Sequence, residues 1–275
     1  MPIVFGLLAS LGIGAGDYFG RYCTRRANAT TTVLTALVGG LVAVTLLTVV
    51  VPSERISRDL WFGAGSGLTI GFALMFMYQG MAISSTAIVS PVVAFFVAFV
   101  PLVWDLTTGG SLPASVGVGV GLAVVGIVVT TVSPDLGGRI GPGLAFAVAS
   151  GALFGIGMTV VGETSIDSGV WPAVSQRGIA WLTLVIYGAS RELPLLLPRP
   201  LMRRGLLSGV AGTGGMAMFI LGAQRGSLGS VAVASSMFPA VTAVLAYLFD
   251  NDQLRWWQSV GIGVALVGVG LIAAG

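Results

Sequence analysis

Long apolar stretches, separated by short polar or Pro/Gly-rich breaks, follow one another along the whole chain. Each stretch has about the length, roughly 20 residues, that crosses the hydrocarbon core of a bilayer as an α-helix. The pattern therefore predicts an all-α integral membrane protein with ten transmembrane helices. The predicted helices cover about 3–19, 30–51, 61–78, 86–104, 114–132, 143–161, 171–189, 206–223, 231–249 and 256–274.

The fourth and ninth stretches, Thr86 to Trp104 and Val231 to Phe249, carry small and hydroxyl residues at helical spacing. Such a stripe faces protein or water rather than lipid. A proline interrupts each stretch, and backbone carbonyls freed at membrane depth are tolerated only when buried or lining a cavity. We therefore expect both helices to be broken beside a binding site, with these residues near it: Ser90, Pro91, Ser235, Ser236 and Pro239.

The two halves of the chain resemble each other. A shift of 144 residues, from 117 to 261, lays GVGVGLAVVGIVV on GIGVALVGVGLIA with three glycines coinciding. Five helices is an odd number, so the second half must enter the membrane in the opposite sense. The sequence predicts two inverted five-helix repeats, residues 1–133 and 143–275, with a substrate site between them as in many secondary transporters.

Composition agrees with a membrane protein: 55% of the 275 residues are hydrophobic and 8% are charged. The 13 basic residues, all arginine, exceed the 10 acids by only three, which argues against a nucleic-acid partner. There is no histidine and one cysteine, Cys23, so we expect no metal, no cofactor and no internal disulfide. The N-terminus lacks a cleavage pattern and is interpreted as an uncleaved first span.

Three motifs carry a family resemblance that covers essentially the whole chain: GAGDYFGR in the first helix, VWPAVSQR opening the seventh, and AQRGSLGSVAVASSMFPAVTAVLAYLF across the eighth and ninth. With the ten-helix pattern, they resemble the EamA-type transporters of the drug/metabolite transporter superfamily. The resemblance implies a multi-pass protein of a bacterial plasma membrane that exports amino acids, other metabolites or drugs. It implies a cavity formed mainly by helices 1, 3, 4, 6, 8 and 9, and cytoplasmic termini. One departure is the segment FDNDQLRWW, where the family has a Gly-Glu or similar acidic turn after the ninth helix.

Asp17 is the acidic residue expected deepest in the bilayer. At about 1.5 Å of rise per residue, it lies roughly 21 Å along a span of about 30 Å. Buried there, its carboxylate could carry a proton or bind a substrate ammonium group, because burial disfavours the charged form. The alternative is an intrahelical pair with Arg21 at a wet helix end. Its neighbour Tyr18 is a weaker candidate.

Arg177, early in the seventh helix, could hold a substrate carboxylate with two hydrogen bonds, although snorkelling to the headgroups explains it slightly better. Tyr78 and Met216 could line the cavity, because tyrosine and methionine adapt to varied cargo. Weaker candidates are Gln79, Gln176 and Glu163, and the last is more simply a solvated loop residue.

The function that these patterns favour is secondary transport of a small metabolite such as an amino acid, outward, by alternating access and possibly proton-coupled. No grouping of carboxylates or nucleophiles indicates an enzyme, and one chain with both repeats suffices as a monomer. Two alternatives stay open: a flippase with a lateral opening for an anionic lipid, and a membrane scaffold without transport.

The orientation is also open. Termini in the cytoplasm would leave four arginines on the cytoplasmic side and nine on the other, whereas the positive-inside rule favours the reverse.

Overall fold

A computed structural model describes residues 2–83, 86–109, 114–131, 140–250 and 256–274. Those residues contain eleven α-helices and one 3₁₀ turn, Ile166–Ser168. The helices are α1 (Pro2–Thr24), α2 (Ala29–Val50), α3 (Ser57–Ile83), α4 (Thr86–Thr107), α5 (Ala114–Thr131), α6 (Ile140–Gly162), α7 (Trp171–Ser190), α8 (Arg199–Ala223), α9 (Leu228–Ser235), α10 (Phe238–Asp250) and α11 (Trp256–Ala274).

Six helical segments of the described residues are long and apolar enough to cross a membrane. They are α1, α2, α3, α6 from Pro142 onward, α8, and α9 with α10 taken together as Leu228–Phe249. Shorter apolar helices lie within α4 and α5. The fold is thus that of an all-α membrane protein, as the apolar pattern predicts, while the count of ten spans stays a prediction.

The two predicted proline breaks are only partly correct. The ninth stretch does divide, but at Ser236–Met237, and Pro239 is the second residue of α10. Proline is tolerated in the first turn of a helix because its missing N–H has no partner there in any case. The backbone of α4 is helical from Thr86 through Pro91, so that helix is not broken. Pro91 is only the sixth residue of α4, where one lost hydrogen bond does not end a helix, and its side chain lies outside the described part.

Helix α8 begins earlier than predicted, at Arg199 rather than near residue 206. Its first turns therefore include Arg203 and Arg204, which the sequence pattern assigned to a loop. Helix α1 likewise continues through Arg21 to Thr24. Long arginine stems pack along apolar surface while their charged heads reach water, so arginine does not end a helix at a membrane boundary.

Close contacts between backbones divide the bundle into two packed groups. In the first group, α8 packs along both α1 and α2, and α10 packs against α1, whereas α9 packs against α1 and to a similar extent against α4 of the second group. In the second group, α3 packs along α6 and α7, and α4 packs against α6. Helices α5 and α11 pack chiefly against each other. Glycine permits this close approach: a Cβ atom on Gly209 of α8 would overlap the carbonyl oxygen of Ala36 in α2.

Contacts between chain segments define the two ends of the bundle. At one end, here called the Gln224 end, the Arg225 guanidinium lies 5.5 Å from the Phe5 ring, and Gln224 contacts the segment that follows α6. At the other, the Arg204 end, the Cys23 thiol contacts the Leu201 carbonyl. These contacts place the start of α1 and the end of α8 at one end, and the end of α1 and the start of α8 at the other.

Candidate functional site

A cavity of about 60 Å³ lies in the interior between the two groups. Both groups contribute to its wall, which is mostly apolar. Its lining residues are Ile13, Gly16, Asp17, Val33, Ala36, Leu37, Leu74, Met77, Tyr78, Val93, Val97, Phe154, Met158, Arg177, Ser208, Gly209, Gly212, Thr213, Met216 and Phe238. An apolar cavity with a few converging polar groups is the usual form of a small-molecule site.

Asp17 reaches this cavity from α1 because that face of the helix is built from small residues. Gly16 lies against the backbone of Gly212 and Ser208 in α8, which leaves no room for a side chain there. The carboxylate is 4% exposed, and its Oδ2 atom is buried without a hydrogen-bond partner among the described residues. A buried carboxylate oxygen without a partner is costly, so this atom is available for a ligand or a proton.

Tyr78 meets Asp17 from the opposite group. Its side chain is 2% exposed, and its hydroxyl lies 3.3 Å from the Ser208 hydroxyl. Ser208 donates its proton to the Gly16 carbonyl over 2.7 Å, so Tyr78 must be the donor to Ser208. The phenol therefore connects the two groups inside the cavity that Asp17 and Arg177 also line.

Arg177 enters the cavity from α7 and is 5% exposed. The snorkelling interpretation is therefore wrong in this conformation, because the guanidinium lies inside the protein rather than at the headgroups. Its Nε atom is buried without a hydrogen-bond partner among the described residues. The preceding residue, Gln176, is fully buried and donates to the Ser66 hydroxyl over 2.7 Å, which anchors this turn of α7 to α3.

Four of the predicted site residues thus come together in one cavity: Asp17, Tyr78, Arg177 and Met216. The serines of the fourth and ninth stretches are buried outside its lining. Ser235 and Ser236 donate to carbonyls of their own helix, over 2.8 and 2.7 Å, so their hydroxyl protons are already used. Ser90 and Pro239 are also buried, and they too do not line the cavity.

The weaker candidates lie elsewhere. Glu163 is exposed at the Gln224 end and accepts a 2.7 Å hydrogen bond from the Trp104 indole. Gln79 is half-buried and outside the lining. Tyr18 packs its ring against Phe19 and Phe249, at centroid distances of 5.3 and 6.2 Å. None of these three side chains reaches the cavity.

Sequence reasoning missed Ser208, Met158 and Phe238, which the structure places in the cavity wall. Ser208 lies in the run GLLSGVAGTGG, where small residues recur every three or four positions. That spacing is the available signal, since it marks a helix face on which another helix packs closely. It does not distinguish a packing serine from one beside a ligand.

Polar contacts also join the two groups at the Gln224 end. The Gln224 amide donates to the Thr164 hydroxyl and the Gly169 carbonyl, over 3.1 and 3.0 Å. The Asp105 carboxylate, at the end of α4, accepts from the Ser227 hydroxyl over 2.6 Å and from the Gly229 N–H over 3.3 Å. Asp105 therefore caps the first turn of α9 from the opposite group. These contacts join the two groups at this end.

Comparison with known proteins agrees with this architecture. Residues 141–274 match the model of the EamA-like transporter family. A solved structure titled only "Crystal structure of protein" superimposes with a TM-score of 0.70 at 14% sequence identity, covering 97% of this chain and 98% of its own. At that identity the likeness concerns the fold alone. No curated protein sequence matches the chain.

The fold and its apolar helices are those of a multi-pass all-α membrane protein. The second half of the chain, residues 141–274, matches the EamA-like transporter family, which is consistent with a member of the drug/metabolite transporter superfamily.

Proposed function

We propose that this chain is a secondary transporter that moves a small metabolite bearing both an ammonium and a carboxylate group, such as an amino acid, by alternating access. The observation that carries the proposal is the central cavity, into which a buried carboxylate and a buried guanidinium both project. We further propose a bacterial plasma membrane location and outward transport, as the family resemblance implies, and function as a monomer, because one chain contains both predicted repeats.

The chemistry of the cavity supports a zwitterionic substrate. Asp17 Oδ2 and Arg177 Nε each lack a hydrogen-bond partner among the described residues, although both are buried. Unpaired buried polar atoms of charged groups are costly, and a ligand with charges of both signs relieves both costs at once. An amine binds the carboxylate, and a carboxylate binds the guanidinium through charge-assisted hydrogen bonds.

Helix packing supports the inverted repeat. Ser208 of α8 donates to the Gly16 carbonyl of α1, and Ser66 of α3 donates to the Gly157 carbonyl of α6, each over 2.7 Å. The serines are 142 residues apart (66 to 208) and the glycines 141 (16 to 157). Equivalent contacts at a nearly constant offset are what two copies of one unit produce when they exchange helices.

The same packing suggests which parts move. Each packed group contains helices from both predicted repeats, so the moving bodies are the two groups rather than the two halves of the sequence. Opening toward the Gln224 end would separate Gln224 from the segment after α6, and Asp105 from α9. Opening toward the other end would separate Tyr78 from Ser208. Because few polar contacts join the groups, either opening has a small number of hydrogen bonds to break.

Proton coupling rests on Asp17. Its carboxylate can be neutralised by a proton when the substrate leaves, because an unpaired charge is disfavoured in this apolar cavity. The carboxylate would then carry either a proton or the substrate ammonium, and this exchange couples the two fluxes.

The test is counterflow in proteoliposomes. Vesicles loaded with an unlabelled amino-acid mixture receive trace labelled amino acids outside, with and without a pH gradient. The expected result is saturable uptake that Asp17→Asn abolishes or makes insensitive to the gradient. Glu163→Gln is the matched control, because it removes an exposed carboxylate outside the cavity and should transport normally. Absence of uptake for every amino acid would overturn the proposed substrate class, and accelerated movement of labelled phospholipid between leaflets would favour the flippase instead.

A further inference from the structure

The two ends of the bundle differ strongly in charge. At the Arg204 end, the described side chains include seven arginines and one acid, Glu192. The arginines are Arg21, Arg25, Arg26, Arg191, Arg199, Arg203 and Arg204, and all but Arg21 are exposed. The Gln224 end has three arginines, Arg55, Arg58 and Arg225, against five acids, Glu54, Asp59, Asp105, Glu163 and Asp167. The Arg204 end therefore presents a positive surface at the level of the lipid headgroups.

Two of these arginines share one aromatic ring. The guanidinium carbon of Arg26 lies 3.7 Å from the centroid of the Tyr22 ring, and that of Arg204 lies 3.8 Å from the same centroid. Two guanidinium groups at these distances would overlap on one face, so they lie on opposite faces of the ring. Arg26 also donates to the Tyr22 carbonyl over 3.1 Å, which fixes its stem. Tyr22 lies in the last turn of α1 and Arg204 in the second turn of α8, so the arrangement is set by the packing of these two helices.

This arrangement differs from ordinary snorkelling. Independent arginines at a membrane boundary extend apart into water, which lowers their mutual repulsion. Here the ring holds two cations at a fixed distance across its two faces, and their free energy is raised by their mutual repulsion. An anion at the ring edge relieves it and accepts hydrogen bonds from both guanidinium groups. Phosphate oxygens suit such planar donors well.

We propose that Arg26, Tyr22 and Arg204 form a clamp that binds the headgroup phosphate of an anionic phospholipid in the leaflet at the Arg204 end. The clamp lies on the outer surface, and none of its residues lines the central cavity. The lipid is a bound partner rather than a transported solute. Because it bridges the end of α1 and the start of α8, it stabilises the first group as one body.

The test measures lipid binding to the purified full chain by native mass spectrometry, with phosphatidylglycerol against phosphatidylcholine. Arg26→Gln with Arg204→Gln should weaken phosphatidylglycerol binding roughly 30-fold, because each arginine near an anionic surface contributes about 1 kcal/mol. Arg55→Gln with Arg58→Gln is the matched control. It removes the same charge from rings that hold one arginine each, at 4.2 Å over Trp171 and 5.0 Å over Phe62.

Tyr22→Leu separates geometry from net charge. This variant keeps both arginines but removes the ring that holds them, so a clamp predicts a loss of selectivity for phosphatidylglycerol. The proposal is overturned if Tyr22→Leu binds like the wild type, or if the control pair loses as much binding as the clamp pair. Displacement of the lipid by millimolar inorganic phosphate would also overturn it, since the site would then bind free phosphate. Lipid binding is measured without transport, so the result of this test does not depend on whether the proposed substrate is correct.

Discussion

The α1–α8 interface and the α3–α6 interface contain the same serine–glycine hydrogen bond, but the second partner of the serine differs between them. In both, a serine donates to the carbonyl of a glycine on the facing helix over 2.7 Å. In the α3–α6 interface, the serine also accepts from Gln176, which belongs to the same packed group. In the α1–α8 interface, the serine accepts from Tyr78, which belongs to the opposite group. The hydrogen bonds of the α3–α6 interface thus stay within one group, whereas those of the α1–α8 interface join the two groups beside the cavity.

The residues that follow the two glycines also differ between the interfaces, since one is charged and the other is apolar. Asp17 follows Gly16 and Met158 follows Gly157, and both line the cavity. A shift of 141 residues likewise places Arg177 opposite Ala36, which also lines it (36 to 177). Under the proposed inverted repeat, the two halves share these packing contacts and differ at the charged residues. A symmetric scaffold can hold an asymmetric substrate only if such positions differ, which agrees with Asp17 and Arg177 as the proposed binding groups.

The largest effect is expected when Asp17 is made like its counterpart. Asp17→Met should lower uptake of the counterflow substrate roughly 100-fold, because losing one partner of a buried charged contact costs about 2–5 kcal/mol. Met158→Leu, at the matching position, should stay within about twofold, since volume-conserving apolar changes are well tolerated. Equal losses in the two variants would mean that the acid has no special role.

The next effect concerns Arg177 and its counterpart Ala36. Arg177→Ala should raise KM for an amino acid roughly 30-fold, because a hydrogen bond to a charged group contributes about 1.5–3 kcal/mol. The decarboxylated amine of the same amino acid is the control substrate, and its KM should not rise. If both substrates lose affinity equally, the guanidinium does not bind the carboxylate.

A smaller effect is expected from the packing itself. A Cβ at Gly16 would meet backbone atoms of Gly212 and Ser208 at 2.8 Å, whereas a Cβ at Gly157 would meet side-chain atoms of Thr69 and Ile70. Side chains move more easily than backbone, so Gly16→Ala should lower the free energy of unfolding more than Gly157→Ala does. The expected difference between the two variants is about 1–3 kcal/mol. Thermal unfolding in detergent measures this difference.

Gly214→Ala controls for the intrinsic effect of the substitution, because nothing lies within 4 Å of a Cβ there. It should be neutral or slightly stabilising, since alanine favours a helix over glycine. A comparable loss in all three variants would contradict the contrast between the interfaces.

The smallest effect distinguishes the two hydrogen-bonded serines. Tyr78→Phe and Gln176→Leu should each lower the free energy of unfolding by about 1 kcal/mol, the usual contribution of one hydrogen bond. Of these two variants, only Tyr78→Phe should also change the turnover rate, by several-fold, because Tyr78 bonds across the two groups and Gln176 bonds within one. A change in turnover of the same size in Gln176→Leu would show that the bond between groups is not what limits opening.

The sequence by itself determined the helices and the membrane environment. Apolar length and spacing decide where a helix can span lipid, so α7 and α11 begin at Trp171 and Trp256 as predicted. It also led to Asp17, Tyr78 and Met216, because a buried acid, or an aromatic or methionine side chain on a helix with small residues, is conspicuous in an apolar chain.

Only the tertiary structure decided which polar residues meet. Arg177 has the same sequence signature whether it snorkels or faces inward, and the choice depends on how α7 packs against α3. Ser235 and Ser236 are polar residues at apolar depth, yet their bonds to their own helix leave them outside the cavity wall. Ser208 is indistinguishable in sequence from any small residue at a packing face, and its place beside Tyr78 follows from α8 lying against α1. Helical periodicity fixes the face of a residue, but the rotation and partner of each helix depend on contacts between residues more than a hundred positions apart.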